Sequence, residues 1–167
     1  MRRLLARLLR AGSDLVRLLG MESTAERDAQ IAGIRKQLSA GAANLRTFAD
    51  VVKFEFDPDR AASMRLSDEI MSAVANAADV LLGVPSWPQK LNGDKQTAQL
   101  NDVRNALENG LRVMASSLQQ LPSEQQPALL EASLEESSDT FPVAVAKTID
   151  SYGELKMVCA GILRSAA

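Results

Sequence analysis

The chain has 167 residues, enough for one domain that buries a core without metals, and its single cysteine, Cys159, excludes an internal disulfide framework. It contains no histidine, which removes Ser-His and Cys-His nucleophiles, the common zinc sites, the Glu-x-x-His di-iron pattern and haem ligation through imidazole. Its net charge of −2 is unevenly placed: residues 1–20 hold five arginines against one aspartate and stand at +4, and the other 147 sum to −6, an acidic body that argues against nucleic-acid binding.

Hydrophobic residues make up 46% of the chain but aromatics only 4%, so Leu, Val, Ile, Met and Ala must fill the core, which favours helix-on-helix packing. The opening "MRRLLARLLRAGSDLVRLLG" is amphipathic, with Leu4, Leu5, Leu8, Leu9, Val16 and Leu19 at helical spacing and Arg2, Arg3, Arg7 and Arg10 on other faces. Gly12-Ser13-Asp14 reads as a hinge or a fresh N-cap, and Gly20 as a C-terminal stop. No uninterrupted apolar run in it approaches the roughly 18 residues needed to cross a bilayer, and Arg7 interrupts what would be a signal-peptide core. It reads as an arm with three uses: an interfacial helix on anionic lipid, an organelle-targeting remnant, or a helix that docks on the bundle or a partner.

A long second helix follows, with Ser23 and Glu26 as a capping-box pair and Ile31, Ile34, Leu38, Gly41, Leu45, Phe48 and Val52 as a heptad seam. Asp57 and Pro58 open a third helix to about residue 83, with a core stripe of Leu66, Ile70, Val74, Ala77 and Leu81. Next comes "VLLGVPSWPQKLNGDK", which places the only tryptophan, Trp87, between two prolines and beside an Asn-Gly turn. Asp94 caps a fourth helix lined by Leu100, Val103, Leu107, Leu111, Met114, Leu118 and Leu121, up to Pro122. Ser123 and Gln126 open a short helix that "SSDTFP" breaks, and a last helix carries Val145, Ile149, Tyr152, Leu155, Cys159 and Ile162. The predicted fold is all-α: an up-and-down four-helix bundle with an extra short helix and an N-terminal amphipathic arm, divided at residues 1–20 and 21–167.

Several polar features have plain structural explanations. Asp50, Glu55, Asp57 and Asp59 form an acidic corner without calcium-loop spacing, best explained by helix capping and solvation. "LNGDKQT" lacks the Gly-Lys-Ser/Thr order of a phosphate loop and reads as a tight turn. Cys159, on an apolar stripe, reads as a small buried hydrophobe. No catalytic, cofactor or metal site is predicted. For Trp87 two directions are open: inward, as a lid on the bundle, which its cost of exposure favours, or outward, as an anchor for a partner.

Two resemblances add to this reading. A helix bearing "RAASMRLSDEI", then Trp87-Pro88, then "NDVRNALENGLRVMASSL", a further helix and a last one with Tyr152 resembles the extrinsic Q subunit of photosystem II over Asp59 to Leu163. The matching positions are Trp87, Pro88, Asn101, Asp102, Arg104 and Tyr152. The resemblance implies a four-helix bundle without catalytic chemistry, docked on the lumenal side of the thylakoid. "QKLNGDKQTAQL" lengthens that family's gap after Trp-Pro, and the heptad helix stands where the family has a proline-rich N-terminus. Separately, "GILRSAA", Gly161 to Ala167, resembles the arginine-finger segment of bacterial toxins acting on Rho-type GTPases, which implies charge stabilisation on a transferring phosphoryl group by Arg164.

The leading expectation is therefore a non-catalytic accessory subunit that docks on protein partners in a larger, membrane-associated assembly. Its predicted contacts are Arg2, Arg3, Leu4, Leu5, Arg7, Leu8, Leu9, Arg10 and Trp87, possible partners include an anionic membrane surface but no nucleic acid, and the location is peripheral-membrane or organellar, the thylakoid lumen if the first resemblance holds. The alternative is a secreted effector or regulator of a partner such as a small GTPase.

Overall fold

The structure, a computed structural model, describes residues 1–54, 60–119 and 141–165. These form five α-helices, α1 (Arg2–Leu19), α2 (Ala25–Phe54), α3 (Arg60–Gly83), α4 (Asp94–Gln119) and α5 (Val143–Ser165), with a 3-10 turn at Val84–Ser86 and no strand among the described residues. The predicted apolar stripes face the core, although Ile34, Leu38, Gly41 and Phe48 of the α2 seam, and Leu66, Val103 and Ile149, are only half-buried. Ile31, Leu45 and Val52 of α2, Ile70, Val74, Ala77 and Leu81 of α3, Leu100, Leu107, Leu111, Met114 and Leu118 of α4, and Val145, Tyr152, Leu155, Cys159 and Ile162 of α5 are all buried. Leu121 and the short helix expected after Ser123 lie outside the described residues, as do Glu55, Asp57, Pro58 and Asp59.

The first helix is not the separable arm that its charge pattern predicts. Leu5, Ala6, Leu8, Leu9, Leu15, Val16 and Leu18 are buried, and α1 packs on α4, on α2 and, more lightly, on α3. Nor is Gly12-Ser13 a hinge, because α1 runs unbroken through it. Gly12 is small because Leu81 of α3 packs over it, with a methyl carbon 2.8 Å from where a Cβ would stand. Ser13 Oγ donates to the Glu108 carbonyl of α4 at 3.0 Å, which fixes the α1–α4 register. Residues 1–20 therefore belong to the bundle, and a boundary at residue 20 would cut through its core.

Neighbouring helices can be ordered from contacts: α4, α1, α2, α3 and α5, with a lighter α5–α4 contact closing the ring. Along α1 and α4, Ser13 meets Glu108 while Gly20 meets Arg104, so these two are antiparallel. Along α3 and α5, Gly83 meets Thr148 and Gly161 faces Glu69, so these are antiparallel too. Ser67 Oγ of α3 donates to the Ala49 carbonyl of α2 at 2.9 Å. The helices α3 and α4, consecutive in the chain, are not packed side by side, and α4 and α5 run in the same direction. That connectivity departs from a simple up-and-down bundle. A chain leaving α3 must cross the end of the bundle to reach its place beside α1, and Trp87 lies in that crossing.

Helix starts differ from prediction in two details, the first being that Asp94 is already the first residue of α4 and Gly93 stands at its cap position. Thr24, not Ser23, caps α2: its Oγ1 accepts from Arg27 N–H at 3.1 Å, the geometry of an N-cap bonding its third helical residue. Gly20 does end α1, in the ordinary right-handed region, with its N–H bonded to the Arg17 carbonyl.

Candidate functional site

The Trp87 crossing is built locally. Pro85 stiffens the 3-10 turn, Trp87 N–H closes it on the Val84 carbonyl at 3.0 Å, and Trp87 itself turns extended, which aims the indole across the bundle end. The indole is 5% exposed, and its Nε1–H donates to Thr148 Oγ1 of α5 at 3.1 Å. Thr148 in turn donates to the Ala144 carbonyl at 2.8 Å, so both hydroxyl roles are used. Gly83 permits this approach, because a Cβ there would collide with the Thr148 hydroxyl. Trp87 thus points inward and closes the bundle, and its ring offers no anchor to a partner.

Over the indole lies Arg104 of α4, its guanidinium carbon 5.9 Å from the ring centroid. Arg104 is buried, and loss of solvation lowers its pKa. Its Nη1 donates to Asn101 Oδ1 at 2.9 Å, and its chain packs against Gly20 at the carboxyl end of α1, where the helix dipole favours a cation. In sequence Arg104 and Asn101 enter only through the resemblance. Here they are the polar lining of a structural corner that ties α1, α4, α5 and the crossing together. Tyr152 is buried over Gly110 of α4, its phenol held protonated to higher pH by burial and by the nearby Cys159. Cys159 is pushed up to about 12 by burial, which leaves an inert thiol.

The remaining predicted contact residues separate by face. Leu5, Leu8 and Leu9 are buried and Leu4 is half-buried, so in this fold the leucines cannot sink into lipid. Arg2 is half-buried, while Arg3, Arg7, Arg10 and Arg17 are exposed. At 3.6 residues per turn those four guanidinium stems fall within an arc of about 80°. Asp14 lies in the same arc and pairs with Arg17 at 3.6 Å, both side chains about half exposed. Among the described residues no ion pair is made by Arg3, Arg7 or Arg10.

The neighbouring helix extends this field. Between Asp28 and Asp50, α2 carries Arg35, Lys36 and Arg46 and no acid. The acidity predicted for the body is concentrated in Glu55–Asp59 and Glu124–Asp139, both outside the described residues, so the described residues sum to +6. Among them no cluster of metal-ligating side chains occurs and no helix is long and apolar enough to cross a membrane. Asp50 is exposed at the end of α2, and Arg164 is exposed in the last turn of α5, where its charge complements the carbonyl end of the helix.

One mostly apolar recess remains. A groove of about 510 Å³ opens between α2 and α3, with Leu8 and Leu15 of α1 as its floor and Leu38, Ala42, Val74 and Ala78 on its walls. Comparison with family models, curated proteins and solved structures finds no match for this chain.

Proposed function

We propose that this chain is a non-catalytic docking subunit of a larger, membrane-associated assembly, and that the arginine face of α1 is its contact with an anionic membrane surface. The observation that supports this reading is the division of α1: leucines locked into the core, and Arg3, Arg7, Arg10 and Arg17 turned outward in one arc. Docking of this kind is electrostatic adsorption by a rigid helix, without insertion. Each arginine near an anionic leaflet contributes about 1 kcal/mol, and four together change affinity by roughly three orders of magnitude. A subunit of the photosystem II extrinsic type is the finer reading, carried by the sequence resemblance at Trp87, Pro88, Asn101, Asp102, Arg104 and Tyr152 alone.

Deleting residues 1–20 does not test this reading, since it removes core leucines along with the arginines. The clean variant is Arg3→Gln/Arg7→Gln/Arg10→Gln/Arg17→Gln, which alters only exposed positions. In co-sedimentation the unaltered chain binds vesicles with anionic lipid, releases them as salt rises and ignores neutral vesicles, whereas the variant, with an unchanged melting curve, binds neither. Equal vesicle binding by both proteins sinks the proposal. So does a preference for duplex DNA over the anionic vesicles, since a basic face attracts either polyanion.

A further inference from the structure

We propose that the groove between α2 and α3 binds a long-chain fatty acid, its acyl chain against Leu8, Leu15, Leu38, Ala42, Val74 and Ala78 and its carboxylate at Arg35 on the rim. The inference does not rest on membrane docking, which is assigned to the arginine face of α1.

Four observations carry it. First, the volume of about 510 Å³ lies within the roughly 300–1,000 Å³ range of small-molecule sites, and its lining is mostly apolar, unlike that of the recess between α1 and α2, which includes Asp14, Gln37 and Asn44. Second, the opening is built in. Ser39 and Ala42 of α2 and Ala78 of α3 all line it, and each is too small to fill the space. An apolar recess in a close-packed interior forfeits contacts that an apolar ligand restores.

Third, the charge is one-sided. Arg35 is the cation of the lining, no carboxylate lines the groove, and Ser39 stands one turn from Arg35 as a second polar group. A guanidinium takes a carboxylate with two parallel N–H bonds. One cation at the rim of an apolar slot is complementary to an amphiphile with one anionic end. Fourth, Leu82 is 74% exposed at the same rim, an apolar side chain placed to cover a bound chain. A second copy of this chain fits less well, because a symmetric pairing over the groove would bring Arg35 of each copy towards the other.

The test titrates the full chain with cis-parinaric acid below its micelle concentration and competes the fluorescence with palmitate and with hexadecanol. Supporting results are saturable binding at one site per chain, displacement by palmitate, and loss of the signal in Ala78→Phe, which fills the groove. Arg35→Gln then weakens palmitate about two- to fivefold, as expected for an exposed ion pair, and leaves hexadecanol unchanged. Ala42→Leu serves as a second filling variant, and a diazirine fatty acid crosslinked to the unaltered chain gives a readout free of mutation, with label expected on the α2 and α3 peptides containing Leu38 and Ala78. Absence of saturable binding overturns the proposal, as does undiminished binding by a folded filling variant or crosslinking confined to other helices. Equal loss of palmitate and hexadecanol, or of neither, in Arg35→Gln overturns the carboxylate assignment. A dimer in sedimentation that Ala78→Phe dissociates assigns the groove to a second copy.

Discussion

The Trp87 corner and the α2–α3 wall are made of helices with the same apolar period, yet one is closed and the other holds a groove of about 510 Å³. At the corner each large side chain meets an absent one: Thr148 lies against Gly83, and Tyr152 against Gly110. At the wall the lining includes Ser39 and Ala42 of α2 and Ala78 of α3, side chains too small to fill the space. Heptad spacing brings faces together in both places. Whether the faces interlock is decided by the pairing of sizes across the contact, which the period does not encode.

The largest break in that comparison is Trp87→Ala. It empties the corner and is expected to cost about 3–5 kcal/mol in urea unfolding followed by circular dichroism, with a cost under about 1 kcal/mol showing that the corner does not close the bundle. Trp87→Phe keeps most of the apolar area and loses the bond to Thr148, at about 1 kcal/mol.

A smaller effect is expected from Gly110→Ala. Helix propensity alone would stabilise it by about 1 kcal/mol, but the new Cβ strikes the buried Tyr152 phenol, and overpacking of about 1–3 kcal/mol opposes the gain. The net change is a loss, and a double-mutant cycle with Tyr152→Phe recovers part of it. Additive changes in that cycle would remove the interlock from the account.

The sharpest contrast comes from adjacent alanines. Ala77 is fully buried, so Ala77→Leu is expected to cost about 1–3 kcal/mol, whereas Ala78→Leu grows into the groove and stays within about 0.5 kcal/mol of the unaltered chain. Equal melting temperatures for the two variants would erase the distinction between corner and wall.

The last effect is absent at neutral pH. The folded Cys159 thiol, pushed up to about 12 by burial, holds its proton well above the ordinary thiol range, and burial raises Tyr152 in the same sense. The folded state then binds more protons than the unfolded one. Their contribution is intact below pH 9 and is lost as pH rises through 12. Alkaline melting curves should fall over that window, less steeply in Cys159→Ala.

The stripes on α2 to α5 were legible because a stripe buried on any neighbour keeps the same period. The inward Trp87 was legible too, since two prolines and a helix-ending glycine leave an indole few places to go. The role of α1 was not, because leucines spaced for a core are also spaced for a bilayer, and nothing local distinguishes the two. Gly12 and Ser13 read as a hinge for a similar reason: a small residue that loosens an isolated helix is the residue a packed helix needs where Leu81 and Glu108 approach. The place of α4 beside α1 was hidden because a ten-residue connection does not say which neighbour it reaches. The groove was hidden because Ser39, Ala42 and Ala78 acquire meaning only when they line one recess.

The bond from Ser13 to the Glu108 carbonyl spans 95 positions of chain. During synthesis at about 5–20 residues per second, α1 emerges roughly 5–20 s before α4 exists to receive it. For that interval α2 and α3 already lie beside α1, but the face of α1 that meets α4 has no neighbour. A nascent chain with this order keeps one apolar face of its first helix uncovered until synthesis has run through α4.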